Sequence, residues 1–264
     1  MKNVELYVNN NKKKALMLKD EIETELKDFG YNLLSDFSEE KPDLTIGLGG
    51  DGTLLKWLSQ VNYSTKSKYL GFNCGTLGFM QDFEAKNISD VISNVPKYLT
   101  EKLHFVELKL ITADKKKIFL ALNEFNILNS HEKSLRIAVD IDNKFFENFF
   151  GTGLLFSTPT GSTAQNISSV GSIMCPSIEA IQMTPSETIL NKRMRCLPKS
   201  MCIPKNISIH LRPVNKDEIK IIADGKKIFE GTFESIEIHY SNFYLNKLVN
   251  PNNDFITKVR QKLI

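Results

Sequence analysis

The chain has 264 residues, of which 41% are hydrophobic and 25% charged, and its net charge is only +3. That size allows one large domain or two smaller ones, and the composition is that of an ordinary globular protein. The small net charge argues against general attraction to nucleic acid, and no apolar run is long enough to cross a bilayer.

The N-terminus, Met1-Lys-Asn-Val-Glu-Leu-Tyr-Val8, alternates apolar and polar residues and lacks the apolar core of a signal peptide. Val4–Val8 is a predicted strand. Lys12–Phe29 is a predicted helix that turns Leu16, Ile22 and Leu26 inward and closes at Gly30. Asp43–Leu48 reads as a short buried strand, and Thr53–Val61 as the amphipathic helix after it. A strand at Tyr69–Phe72 and a helix capped by Ser89 complete an alternation that implies a parallel sheet covered on both faces.

Near residue 100 the pattern changes. Leu103–Thr112, Lys117–Leu128, Leu135–Ile141 and Lys144–Phe149 are β-rich runs joined by polar turns. Asn206–Leu211, Ile219–Ala223, Lys227–Phe229 and Ser235–His239 continue the series, with Asp224-Gly225 a strong hairpin signal. Such a series predicts an antiparallel sandwich or barrel, hence two domains. Pro251–Ile264 returns to helix, with Asn250 as its expected cap. The lysine runs Lys12–Lys14 and Lys115–Lys117 read as a solvated helix start and a hairpin tip. Cys74, Cys175, Cys196 and Cys202 have no zinc-type spacing and read as reduced, mostly buried thiols of a cytoplasmic protein. The four histidines are scattered, and no metal site is expected among the side chains.

Three motifs carry chemistry. The first is Gly47-Leu-Gly-Gly-Asp-Gly-Thr53, at a strand-to-helix turn. Glycines let backbone amides approach a ligand, and a helix N-terminus favours an anion. A simple phosphate cradle would avoid the carboxylate of Asp51, so the loop points to chemistry on phosphate. Gly47-x-Gly49-x-x-Gly52 also matches a dinucleotide fingerprint, but it does not follow the first strand. The next strand runs into Asn73-Cys-Gly-Thr-Leu-Gly78, with no acid to hold a ribose, and no GxxxxGK[ST] is present. The second motif, Gly151-Thr-Gly-Leu-Leu-Phe-Ser-Thr-Pro-Thr-Gly-Ser-Thr-Ala164, brings hydroxyls to a predicted short helix at Ser162–Ser169. Alone, it reads rather as a helix-capping turn. The third, Asn123-Glu124, could accept from ribose hydroxyls, although a polar pair on a strand commonly faces solvent.

In this order, together with Asn73-x-Gly-x-Leu-Gly-Phe79, the motifs resemble those of the NAD kinases over essentially the whole chain. Thr158-Pro-Thr-Gly-Ser-Thr-Ala164 is the specific part; Gly-Gly-Asp-Gly is shared with diacylglycerol and sphingosine kinases. The resemblance implies a Rossmann-like α/β domain over residues 1–100, with residues 244–264 packing back on it, and a β-sandwich over residues 101–243. It implies transfer of the ATP γ-phosphate to the 2′-hydroxyl of the adenosine ribose of NAD, with polyphosphate as the donor in some members. A divalent cation, usually Mg²⁺, accompanies the donor, and members are commonly homodimers or homotetramers. By motif match Asp51 is the general base. Gly52, Asn123, Glu124, Thr152, Thr163, Ala164, Gln165, Asn166, Ile167 and Ser168 contact NAD together with Asp51. Gly49, Gly50, Thr53, Lys56, Phe79, Ser157 and Lys226 are further candidate phosphate or ligand contacts.

The chain also departs from the family pattern. Thr152-Gly153 stands where Asp-Gly is usual, and Phe150 where a basic residue is common. Gln165 replaces a tyrosine, and Ser168-Ser-Val-Gly171 replaces a Gly-Gly pair. These departures fall on the dinucleotide side, which predicts intact catalysis with altered affinity or selectivity. The alternatives are a lipid kinase sharing only the first motif, or a dinucleotide sensor without turnover.

Overall fold

The structure is a computed structural model describing residues 2–35, 40–64, 66–75, 78–189 and 195–264. The chain divides into two compact units, Met1–Leu103 with Tyr244–Ile264, and His104–Phe243. In chain order the first holds β1 (Asn3–Val8), α1 (Lys13–Asp28), β2 (Asn32–Leu33), β3 (Leu44–Gly49), α2 (Asp51–Gln60), β4 (Lys68–Asn73), β5 (Phe83–Glu84) and α3 (Ile88–Asn94). β6 (Leu99–Ile111) leads into β7 (Lys116–Ala121), β8 (Glu124–Asn129), β9 (Leu135–Ile141) and β10 (Lys144–Ser157). The short α4 (Gln165–Ser168) follows, then β11 (Ala180–Thr188), β12 (Met201–Pro204), β13 (Ile209–Pro213), β14 (Ile219–Ala223) and β15 (Lys226–Gly231). β16 (Ser235–Val249) and α5 (Phe255–Leu263) end the chain.

In the first unit β2, β1, β3 and β4 pair in parallel, and β5 and the end of β16 pair with β4. Every residue of β3 is buried, as expected of a central parallel strand covered on both faces. Ile22 and Leu26 of α1 and Ile88 and Ile92 of α3 pack in one core with Leu44, Ile46 and Leu48. Three local expectations are corrected. Leu16 is 45% exposed and Ala15 is buried instead, because Ala15, Ile22 and Leu26 share one face of the helix. Helix α3 begins at Ile88, after Asn87, rather than being capped by Ser89. Helix α5 begins at Phe255 and not at Pro251, because the Asp254 carboxylate accepts from the Thr257 amide at 2.7 Å and supplies the N-cap. Asn250 serves the turn before it, accepting from the Asn252 amide at 3.0 Å.

The second unit is antiparallel. The 14-residue β10 pairs with β9 over Lys144–Gly151, with β11 over Gly151–Ser157 and with β8 over Gly153–Ser157. The run expected at Lys144–Phe149 is therefore the first part of a longer strand that continues to Ser157. The single run expected at Lys117–Leu128 is two, broken at Leu122-Asn123, whose amides donate to a carboxylate instead of a ladder. Strand β11 escapes the sequence reading because Gln182, Thr184, Pro185 and Ser186 interrupt its apolar pattern. Phe125, Ile127, Leu154, Phe156, Ile181 and Ile236 form the centre of its core. All four cysteines are free; Cys74 and Cys196 are buried, whereas Cys175 and Cys202 are exposed, so the thiols are not mostly buried. Among the described residues no helix is long and apolar enough to cross a membrane.

Candidate functional site

The glycine loop of the first unit is built around the hydroxyl of Thr53. Its Oγ1 accepts from the Gly50 amide at 3.1 Å and from Asn9 Nδ2 at 3.2 Å. A Cβ at Gly49 would stand 1.9 Å from that oxygen, so the close turn requires glycine. Thr53 is buried, and its hydroxyl oxygen holds the loop together. Helix α2 starts at Asp51, two residues before the expected Thr53, so Asp51 lies in the first turn, where the helix dipole favours a negative charge. Gly52 has open space where a Cβ would be.

Asp51 is held firmly. Its Oδ2 accepts from the Phe79 amide at 2.8 Å and its Oδ1 from the Met80 amide at 3.0 Å. A Cβ at Gly78 would come within 2.2 Å of Oδ1, so the chain at Gly78 runs directly against the carboxylate. Each oxygen keeps a lone pair for another partner. Phe79 thus acts through its backbone, while its ring packs against Phe255 at 6.2 Å and under the Lys262 ammonium at 4.7 Å. Lys56 is exposed on α2. Thr76 and Leu77, of the Asn73–Phe79 motif, lie outside the described residues.

Sequence reasoning missed what supports this segment. The Gln81 amide donates to the Gly50 carbonyl and to the Tyr69 hydroxyl, both at 3.0 Å. Lys258 of α5 donates to the Phe79 carbonyl at 3.1 Å and to Asp82 Oδ1 at 2.6 Å. Lys247 meets the same Asp82 oxygen at 3.1 Å and Glu101 at 3.3 Å. Burial and the adjacent Lys247 ammonium pull the Lys258 amine below its ordinary range, against the attraction of Asp82.

In the second unit Asn123 and Glu124 are buried, contrary to the habit of polar strand residues. Asp224 accounts for their placement, and the sequence showed it only as a hairpin residue. Asp224 (φ +48°) and Gly225 (φ +79°) both take left-handed conformations at the β14–β15 turn. The Asp224 carboxylate accepts from the amides of Leu122 at 2.8 Å, Asn123 at 2.7 Å and Glu124 at 3.3 Å. The hydroxyl-rich segment presses on the same corner. Thr158 Oγ1 donates to the Leu122 carbonyl at 2.6 Å, and a Cβ at Gly161 would stand 2.1 Å from the Asn123 carbonyl oxygen.

Most hydroxyls of that segment are already engaged by the chain. Ser157 donates to the Thr158 carbonyl at 2.9 Å, and Thr163 to the Thr160 carbonyl at 3.3 Å. Asn166 is fully buried between Gln182 at 2.8 Å and Thr184 at 2.7 Å, a structural network. Thr163, Ala164 and Ile167 are half-buried, whereas Gln165 and Ser168 are exposed. The Thr152 hydroxyl is exposed and donates to Glu187 at 2.9 Å, and Lys226 is exposed at the start of β15. Phe150 carries the Arg136 guanidinium over its ring at 4.7 Å, so a cation from the neighbouring strand sits beside that position.

Glu124 is 5% exposed, and its carboxyl is pushed up to about 8, chiefly by desolvation, then by the Asp224 charge, against a hydrogen bond from the Gln165 amide. Glu124 Oε2 and Asn123 Oδ1 are buried acceptors with no donor among the described residues. A ligand that brings hydroxyl or amine donors would satisfy both. The raised folded-state value predicts a pH signature. Between the unfolded value near 4.5 and about 8 the folded state binds the extra proton, so stability falls as pH rises across that window. Glu124→Gln is expected to flatten this slope and to exceed the parent in stability at pH about 8 by an amount on the order of a few kcal/mol, seen as a higher thermal midpoint. Scanning calorimetry at several pH values checks it; an unchanged slope in the variant refutes it. Among the described residues no cluster of three or more His, Cys, Asp or Glu could hold a metal ion.

Residues 3–98 match the family described as ATP-NAD kinase N-terminal domain, and residues 122–248 that described as ATP-NAD kinase C-terminal domain. An NAD kinase of Finegoldia magna is 31% identical over 272 residues, covering 99% of this chain and 97% of that protein. A Staphylococcus aureus NAD kinase is 31% identical over 87% of this chain and 86% of its own length. The fold is shared with a crystal structure of yeast NADH kinase complexed with NADH (TM-score 0.86, 21% identity, 100% of this chain and 87% of that one). It is also shared with an NAD kinase from Archaeoglobus fulgidus in complex with ATP (TM-score 0.77, 22% identity, 98% of both chains). With both halves of the motif series matched in order along its length, the chain belongs to the NAD kinase family of phosphotransferases.

Proposed function

We infer that this chain moves the γ-phosphoryl group of ATP to the 2′-hydroxyl of the adenosine ribose of NAD, giving NADP and ADP. The observation that carries the reading is the Asp51 carboxylate, fixed in the first turn of α2 by two amides with a lone pair free on each oxygen. Asp51 accepts the hydroxyl proton while the ribose oxygen forms its bond to phosphorus and the bond to the β-phosphate oxygen breaks. Phosphoryl transfer is dominated by positioning and charge stabilisation, so little nucleophile activation is needed before the transition state. The loop amides at Gly50–Thr53 lie where an anion is favoured. Asn123 and Glu124, with their unpartnered acceptors, hold donors of the dinucleotide. Thr152, Thr163, Ala164, Gln165, Ile167 and Ser168 are its further candidate contacts.

A divalent cation carried by the donor phosphates would neutralise charge on the leaving group. Magnesium keeps much of its water shell and is commonly bound through phosphates and one or two carboxylates, so a single loop acid, Asp51, is compatible with it. The same reading includes a cytoplasmic homodimer or homotetramer.

The test is a coupled assay on purified protein with ATP or polyphosphate, Mg²⁺ and NAD, read as NADP. Turnover with NAD is expected. No product from either donor, with NAD binding intact by calorimetry, would leave a sensor instead.

A further inference from the structure

We propose that Lys12 binds the phosphate chain of the phosphoryl donor, an inference that rests on the phosphotransferase reading above. The turn between β1 and α1 is tied to the glycine loop. The Asn9 amide donates to the Leu48 carbonyl at 3.0 Å, Asn9 Nδ2 donates to Thr53 Oγ1 at 3.2 Å, and the Lys12 amide donates to the Asn9 carbonyl at 2.9 Å. Lys12, immediately before α1, is half-buried, unlike Lys13 and Lys14, which are exposed. Its reach is set by two glycines. Lys12 Nζ lies 3.4 Å from where a Cβ would stand at Gly50 and 2.6 Å from where one would stand at Gly75. The ammonium therefore occupies space that a side chain at residue 75 would contest. This run of lysines is not uniformly solvated.

The electrostatics point to a third party. No carboxylate of the described residues lies within 4.0 Å of the Lys12 ammonium. Asp51 follows Gly50 directly, yet its oxygens are engaged with the Phe79 and Met80 amides. A cation and an anion thus attend one loop without pairing, although such a contact is worth about 1 kcal/mol at 4 Å even in water. A phosphate chain at the first turn of α2 would take the ammonium as a point-charge donor and leave Asp51 open to a hydroxyl. ATP and inorganic polyphosphate present the same phosphate chemistry to Lys12.

The experiment compares Lys12→Met and Lys12→Arg in the full chain. Calorimetry measures binding of inorganic tripolyphosphate, and initial rates yield KM separately for ATP, polyphosphate and NAD. Lys12→Met is expected to weaken tripolyphosphate binding and to raise the donor KM by about tenfold or more, the scale of one charge-assisted hydrogen bond. KM for NAD should stay within about twofold, and Lys12→Arg should recover most of the loss. A rise for ATP and polyphosphate alike supports contact with their shared phosphates, and a rise for one donor alone supports contact with that donor. Unchanged tripolyphosphate binding, or a rise confined to KM for NAD, overturns the proposal. A parent protein that binds tripolyphosphate through Lys12 but forms no NADP would instead overturn the kinase reading and leave the phosphate site standing.

Discussion

Asp51→Asn is expected to lower kcat for NADP formation by about a hundred- to ten-thousand-fold, the range of a lost general base. The substitution keeps the size of the side chain and one carbonyl oxygen. It turns the other oxygen into a donor facing the Phe79 or the Met80 amide, each of which now donates to Asp51. Two donors face to face cost about 1–3 kcal/mol of stability, so rate must be measured on protein shown to be folded. The single tryptophan makes that direct. Trp57 is 2% exposed in α2 and reports on the first unit through its fluorescence. A folded Asp51→Asn protein retaining more than about a tenth of parental kcat would exclude Asp51 as the base.

Lys258→Met is the second large effect, and it acts on stability first. Asp82 Oδ1 is shared by two buried ammonium groups, Lys247 and Lys258, with Glu101 as the second acid. Removing Lys258, itself 4% exposed, leaves this cluster with an uncompensated negative charge. Breaking a buried pair in this way costs about 3–5 kcal/mol. Arg260→Ala, on the exposed side of the same helix, should stay within about 0.5 kcal/mol of the parent. Urea unfolding followed by Trp57 fluorescence separates the two. Lys258 also donates to the Phe79 carbonyl, which belongs to the same peptide group as the Met80 amide that holds Asp51. A fall in kcat of the folded variant, with KM for NAD unchanged, is therefore expected beside the loss of stability. Equal unfolding midpoints for Lys258→Met and Arg260→Ala would show that the charge cluster contributes nothing.

The departures at Phe150 and Thr152 take a different meaning in the folded chain. Arg136 lies over the Phe150 ring, and Glu187 accepts from the Thr152 hydroxyl. A basic group is therefore present beside Phe150 and an acidic one beside Thr152, each drawn from a neighbouring strand. Pairing register across antiparallel strands sets these neighbours, and a linear motif cannot show them.

The family and the fold class were legible because their signals are local. The switch from alternating strand and helix to short strands, the Gly49-Gly-Asp-Gly52 loop and the Asp224-Gly225 turn each sit within a few neighbouring residues. Exact starts were less legible, since Asp254 rather than Asn250 supplies the cap of α5, and Asp51 rather than Thr53 begins α2. The sequence by itself determined which chemistry the loop carries: one carboxylate among glycines at a strand-to-helix turn. Only the tertiary structure decided what holds each group in place. Phe79 and Met80 reach Asp51 across 28 and 29 positions, Asp224 reaches Asn123 across 101, and Lys258 reaches Phe79 across 179. Hydrogen bonds and buried ion pairs over such separations leave no periodicity in the chain, because they depend on packing that exists only after the sheet has formed.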